Sequence, residues 1–291
     1  MKKIKHSLNS DKYTALLLLI PSLIGFFIFY LIPFVFSLYY SLINNIYSSK
    51  FVFFDNYIEL FHNKSFILAL KNTSVFLCIV VPTQLIISFI LACIVDRFTK
   101  KKNIVVSFIS IPLVLPIGCF YFMTQLVFSQ GGIACSFLKW FGVNDSSLLQ
   151  KDSIMLVVIL VYLWRYLGYT FILYLSALQF IPKELYEYAE IDGITHFNKL
   201  TRITIPLSAP ISFIAFIVSF SNSLRVFKEV YVIGGNYPKR NIYMLQHYIN
   251  NTFIDLNYSK LSATTIVISF LTVIVLGLWI KINKIYNGEL L

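Results

Sequence analysis

Residues 181–210 read IPKELYEYAEIDGITHFNKLTRITIPLSAP, the most polar and most patterned stretch of the chain. It follows a run from Asp152 to Lys183 whose one charge is Arg165, and it leads into a run from Arg202 to Arg225 that carries none. Pro182 suits the first turn of a helix, where its missing N–H has no partner to lose, and Glu184 and Glu187 favour the positive end of the helix dipole. Leu185, Tyr188 and Ala189 share one helical face, with Glu184, Glu187 and Glu190 on others. Gly193, after Asp192, is a good C-terminal stop because glycine takes positive φ without a Cβ penalty. Thr195 is placed to cap a second short helix through His196, Phe197, Leu200 and Thr201. Pro206 ends or kinks whatever precedes the next apolar run. The spacing predicts helix, glycine turn, helix; periodicity by itself leaves a plain solvated connector equally open.

Working outward, the rest of the chain is apolar to a degree that excludes an ordinary soluble domain. Of 291 residues, 58% are hydrophobic and 13% charged, with 28 Phe and 19 Tyr, and the mean hydropathy is +0.76. An average globular chain carries about 25% charged residues to wet its surface, and a disordered chain is excluded for the same reason. About 20 apolar residues cross a hydrocarbon core. Charge-free runs lie between Lys12 and Lys50, Lys71 and Asp96, Lys102 and Lys139, Arg202 and Arg225, and Lys260 and Lys281. With the run around Arg165 they place six spans near 14–40, 70–95, 104–128, 154–178, 204–225 and 261–281. Nothing alternates as a barrel strand would, so the spans must be helices, which satisfy their own backbone groups in lipid. The first is too long for a secretory signal and no small-residue cleavage site precedes Phe34 to Tyr40, so it is read as retained.

The net charge of +11 suits nucleic acid or an anionic membrane face, and its distribution decides for the membrane. Lys2, Lys3, Lys5 and Lys12, then Arg97, Lys100, Lys101 and Lys102, are concentrated beside spans on one side, where the positive-inside rule has force. Both termini and the 181–210 loop are therefore expected in the cytoplasm, and no aromatic-basic pattern argues for nucleic acid. Cys78, Cys93, Cys119 and Cys135 form no metal-ligand spacing and read as small packing residues; His6, His62, His196 and His247 are scattered, so no metal site is expected. Trp140, Trp164 and Trp279 read as lipid-facing or interfacial. The chain has no GxxxxGK[ST] sequence for ATP.

Glu187, Ala189, Asp192 and Gly193, with Ile203 and Pro206 at the following spacing, resemble the EAA loop of the membrane subunits of binding-protein-dependent ABC importers. That pattern is EAA, three residues, Gly, nine residues, Ile and, one residue on, an apolar residue and Pro, here Ile205-Pro206; Tyr188 departs from its middle alanine. The likeness extends from about 14 to 285 and resembles the first permease of the carbohydrate-uptake branch, the maltose and glycerol-phosphate type. Pro21 to Gly25, Asp55-Asn56-Tyr57, Asn72-Thr73, Pro112 and Pro116, and Gly234-Gly235 with Pro238 carry it; the usual Gly-Gly-Pro is spread here as GGNYP. The resemblance implies an all-α, six-span type I importer permease fold with a cytoplasmic EAA coupling loop at about 179–206. Residues 1–13 would be a cytoplasmic segment, 14–285 the transmembrane permease domain and 286–291 a cytoplasmic tail. It implies a bacterial inner-membrane subunit, not itself an enzyme, that passes a sugar or sugar-like solute inward. Its partners would be a homologous second permease, two ATPase subunits that bind ATP and Mg, and an extracytoplasmic solute-binding protein. In the loop, Glu187 would offer a carboxylate to the ATPase, Ala189 would allow close approach and Gly193 the sharp turn.

For the pathway, Arg165 is the most informative residue, because a mid-span cation is costly and normally faces a cavity or a partner. Bonding to a neighbouring helix is as good a reading. Tyr169 lies one turn beyond and resembles a sugar-contacting position in maltose-type permeases. Asn222 and Ser223, beside Ser221, fall where those permeases place polar contacts; interhelical hydrogen bonds, at about 0.6 kcal/mol each, are the competing account. Tyr121 and Gln125 form a weaker set, near a Pro112–Pro116 pair expected to break the third span. The rival function is an ion-coupled secondary transporter acting without an ATPase. It is disfavoured because the spans hold almost no acidic residues and no internal repeat is evident.

Overall fold

A computed structural model describes residues 14, 17–45, 50–98, 102–140, 148–149 and 153–287. The expected N-terminal segment 1–13, the basic residues Lys100 and Lys101, and residues 288–291 of the expected tail lie outside the described residues. The chain divides into two compact units, Met1–Asn63 with Asn251–Gly277, and Lys64–Asn250 with Leu278–Leu291.

The first unit opens with α1 (Leu17–Ser41), exposed along its apolar length, and a π-helical turn at Phe27–Leu31 widens it before Pro33. A proline has no N–H for the preceding turn, and the wider turn accommodates that loss. An isolated bridge joins Ile43 to Phe51. Helix α2 (Asp55–His62) is pinned by Asn56, whose side-chain amide donates to the carbonyls of Ser41 and Ile43, both at 2.9 Å.

The second unit is built on α7 (Ile154–Gln179), against which α3 (Lys64–Phe98), α4 (Lys102–Val114), α10 (Ile205–Leu224) and the short α11 (Lys228–Gly234) all pack. At one level Phe76 and Val80 of α3 meet Val158, Ile159 and Tyr162 of α7 and Val226 and Val230. At another, Ala92 and Val95 meet Phe171, Tyr174, Leu175 and Leu178, with Ala215 of α10. In lipid the tails are as apolar as these side chains, so close packing and buried hydrogen bonds hold the helices together. Gly168 allows α7 to approach α4 closely: a Cβ there would stand 2.6 Å from the Ile109 carbonyl oxygen of α4.

Among the described residues, five helices are long and apolar enough to span a bilayer: α1, α3, α7, the run His196–Gly234, and α13 (Tyr258–Asn287). A sixth span is present if α4 and α5 (Ile117–Phe128) count as one, bent by 98° at the break between them. Pro116 forces this break, since Leu115 before it is disfavoured in the α region and Pro116 itself donates no hydrogen bond. Of the two prolines expected to break the third span, Pro116 stands at the break and Pro112 lies inside α4. Two boundaries differ from the sequence reading. Pro206 does not stop the helix before it; a π turn at Leu200–Thr204 carries α9 (His196–Lys199) continuously into α10. The fifth run also extends past Arg225, because Val226 and Val230 are buried in the core. Trp140 and Trp164 are exposed, Trp164 stacking on Phe120 at 5.5 Å, and Trp279 stacks on Phe216 at 4.0 Å. The four cysteines are free.

Candidate functional site

The 181–210 segment folds as helix, turn, helix. Helix α8 (Lys183–Ile191) starts directly after Pro182 and has Glu184 in its first turn. It closes with Ile194 N–H donating to the Ala189 carbonyl at 2.9 Å and Gly193 N–H to the Glu190 carbonyl at 3.0 Å. This is the paired closure of a glycine-terminated helix, and Gly193 takes the φ of +68° it requires. Thr195 caps α9, accepting from Asn198 N–H. Ala189 is buried, and Glu187, Asp192 and Gly193 are exposed on the loop's outer side. Ile203 packs against the Ala92–Tyr174 core cluster, and Pro206 is half-buried at the head of α10.

Three polar contacts hold the loop. The Lys199 ammonium, 8% exposed, reaches the Glu190 carboxylate at 2.7 Å. Hydrogen bonding to Lys199 and its charge hold the Glu190 carboxyl below the usual carboxylate range. Tyr186 and Thr204 share a hydrogen bond at 3.0 Å, and Arg97 of α3 meets the His196 ring at 3.0 Å. Together they border a cleft of about 600 Å³ lined by Asp96, Arg97, Tyr186, Glu190, His196 and Lys199.

The pathway candidates divide. Arg165 is largely buried, with its Nε 3.7 Å from Oε1 of Glu229, a carboxylate only 3% exposed. Tyr166 donates its hydroxyl to the same oxygen at 3.1 Å, and the guanidinium carbon lies 4.9 Å from the Phe120 ring of α5. Ser223 is fully buried and donates to the Tyr162 hydroxyl at 3.1 Å. The Tyr162 and Tyr166 rings lie 4.5 Å apart, so Ser223 joins Arg165 in one chain of contacts. Tyr169 and Asn222 are exposed and lie outside it.

Sequence reasoning misses Glu229, because the fifth charge-free run ends at Arg225 and the residues beyond it read as loop. It also passes over Gln84, whose amide donates to the Tyr166 carbonyl at 3.0 Å and whose oxygen accepts from Ser219 at 2.7 Å. A lone glutamine inside a charge-free run is the available signal.

The comparisons with known proteins agree with this picture. The chain is 27% identical over 272 residues to the probable ABC transporter permease protein YurN of Bacillus subtilis (strain 168), covering 89% of this chain and 93% of that protein. It is 26% identical over 273 residues to the sn-glycerol-3-phosphate transport system permease protein UgpA of Salmonella typhimurium (strain LT2), covering 91% and 92%. Its fold is similar to a chain of a bacterial ABC transporter involved in the import of the acidic polysaccharide alginate, with a TM-score of 0.83, 21% identity and coverage of 97% of this chain and 98% of that one. A second structure of a bacterial alginate ABC transporter, in complex with an alginate pentasaccharide-bound periplasmic protein, matches with a TM-score of 0.80 at 21% identity, covering 93% of each chain. The family described as "Binding-protein-dependent transport system inner membrane component" matches residues 84–282. That match runs from Gln84 through the helix–turn–helix loop and into α13, and on it the chain belongs to the binding-protein-dependent transport system inner membrane components.

Proposed function

We propose that this chain is one of two permease subunits of an ABC importer that carries a sugar or sugar-like solute into the cytoplasm. ATP hydrolysis in a partner ATPase, with ATP and Mg bound there, drives the movement. The observation that carries the reading is the loop at 183–204, within the family match: Glu187, Asp192 and Gly193 are exposed on a short helix and its turn, whose other side is tied down through Ala189, Lys199 and Tyr186. Such a loop can push against a moving partner without deforming. Alternating access then needs only that each partner bind the two states of the permease with different affinity.

In this reading the loop faces the cytoplasm and an extracytoplasmic binding protein delivers the solute at the opposite side. The sugar class rests on the names of UgpA and the alginate importer, and on a pathway in which Arg165, Tyr169, Asn222 and Ser223 supply aromatic and polar contacts. Aromatic faces suit the C–H groups of a sugar ring, and hydroxyls and amides suit its oxygens. The test is copurification in detergent of the tagged chain expressed from its own locus, with ATPase assay, for wild type and Glu187→Ala. An associated ATPase that is lost or loses activity with Glu187→Ala is the expected result. A chain that purifies without an ATPase and transports under an ion gradient would overturn the proposal in favour of a secondary transporter.

A further inference from the structure

The buried polar groups of the second unit differ in how well they are satisfied. Gln84, Ser88, Thr170 and Ser219 form a closed set of hydrogen bonds joining α3, α7 and α10. Arg165 is different: its Nη1 is shut off from solvent and has no acceptor. A buried donor without a partner costs free energy that the fold has not recovered elsewhere, so it calls for an explanation.

The guanidinium is nevertheless firmly placed. The Glu229 carboxylate faces its Nε edge at 3.7 Å, the Phe120 ring lies against it, and Tyr166 donates to the same Glu229 oxygen. Two of these partners come from short segments with a break beside them. Phe120 stands in α5, just past the 98° bend. Glu229 stands in the first turn of α11, seven residues long, set off from α10 at Arg225–Phe227 and ended at Gly235. Both segments adjoin a break in the helix, the arrangement in which broken membrane helices line transport sites.

We propose that Glu229 is a positioning residue for Arg165: it pins the Nε edge so that, when α5 or α11 shifts, the Nη1 edge donates to an oxygen of the passing solute. This rests on the reading of Arg165 as part of the substrate pathway. The shared ligand chemistry is an oxygen acceptor, either a sugar hydroxyl or a carboxylate or phosphate oxygen. Because Glu229 cancels the formal charge of Arg165, the pair can serve a neutral hydroxyl as well as an anion, without the desolvation cost of a bare buried cation.

The experiment is ATP-driven uptake by the complete importer in vesicles, with labelled maltose, a short alginate oligosaccharide and sn-glycerol 3-phosphate as probes. Glu229→Gln keeps the side chain's shape and removes its charge. It is expected to raise the half-saturating concentration of the transported probe by about tenfold, the loss of one hydrogen bond from the displaced Arg165 donor to the solute, with a smaller fall in maximal rate. Glu229→Asp keeps the charge but draws it back by one methylene; it is expected to give an intermediate rise, and it answers for the case in which the glutamine variant is lost from the membrane. The probe whose uptake responds identifies whether a hydroxyl or an anionic oxygen is the acceptor. Wild-type half-saturation in both Glu229 variants would overturn the proposal. So would full recovery in the exchanged double variant Arg165→Glu with Glu229→Arg, since a simple strut survives exchange and a positioned donor on α7 does not. A wild-type complex with no ATP-dependent uptake of any probe would instead defeat the proposed function, and this inference with it.

Discussion

Gly193 shows most directly how one residue shapes the loop. Its φ of +68° and its N–H bond to the Glu190 carbonyl are separate requirements, and two substitutions separate them. A Cβ added at this position would meet no atom within 4 Å, so Gly193→Ala meets only the left-handed backbone penalty, about 1–2 kcal/mol. It should lower the stability of the loop without abolishing uptake. Gly193→Pro fixes φ near −65° and deletes the N–H, so the turn cannot form. Expected outcomes are membrane insertion at normal levels for both, with ATP-driven uptake retained in the alanine variant and lost in the proline variant. Normal uptake with Gly193→Pro would show that the turn's geometry does not matter to coupling. At this scale the loop residues are legible because glycine and proline carry their conformational meaning in the sequence. Glu229 is not, because its importance comes from Arg165, far earlier in the chain.

At the scale of elements, the loop acts as one piece because α8 and α9 are tied to each other. The Lys199–Glu190 contact is asymmetric: the lysine is 8% exposed and the glutamate 67%, so removing the lysine charge strands no buried partner. An ion pair so open to solvent on one side adds little to stability. Lys199→Met should therefore leave the chain in the membrane at normal levels, while allowing α8 to move independently of α9. The measurable consequence is poorer coupling, with more ATP hydrolysed for each solute taken up by the reconstituted importer. An unchanged ratio would mean that the Tyr186–Thr204 bond and the Arg97–His196 contact hold the loop by themselves. The element boundaries show the limits of pattern reading. Pro206 reads as an end or a kink, yet the π turn at Leu200–Thr204 absorbs it, as the one at Phe27–Leu31 does before Pro33, and residue types alone do not say which of these a proline will do. Pro116 does break its helix, because there no wider turn compensates.

At the scale of the whole molecule, stability depends on pH through His247. It is fully buried beside Phe227, with its ring 4.8 Å from that phenyl, and burial pushes its pKa from 6.5 down to about 4. The folded protein keeps the imidazole neutral while the unfolded chain takes up a proton below about pH 6.5. The contribution is therefore complete above pH 6.5 and is lost progressively as pH falls towards 4. Thermal unfolding of the purified complex should drop across that window, and His247→Phe, which fills the aromatic site without a titrating group, should flatten the drop. An equal drop in both would assign the pH dependence to other groups.

The sequence by itself determined that the chain is a bundle of apolar helices, where its spans lie, and that a glycine-stopped helix pair interrupts them. Hydropathy, charge spacing and the conformational limits of glycine and proline act locally, and a chain in lipid whose runs do not alternate as barrel strands must satisfy its backbone within helices. Only the tertiary structure decided which polar residues meet: Gln84 with Ser219, Ser223 with Tyr162, and Arg165 with Glu229. These pairings depend on the rotation of each helix about its axis and on the return of α11 to the core. Both are set by packing among helices distant in sequence, where close approach and buried hydrogen bonds, summed over many residues, outweigh any local preference.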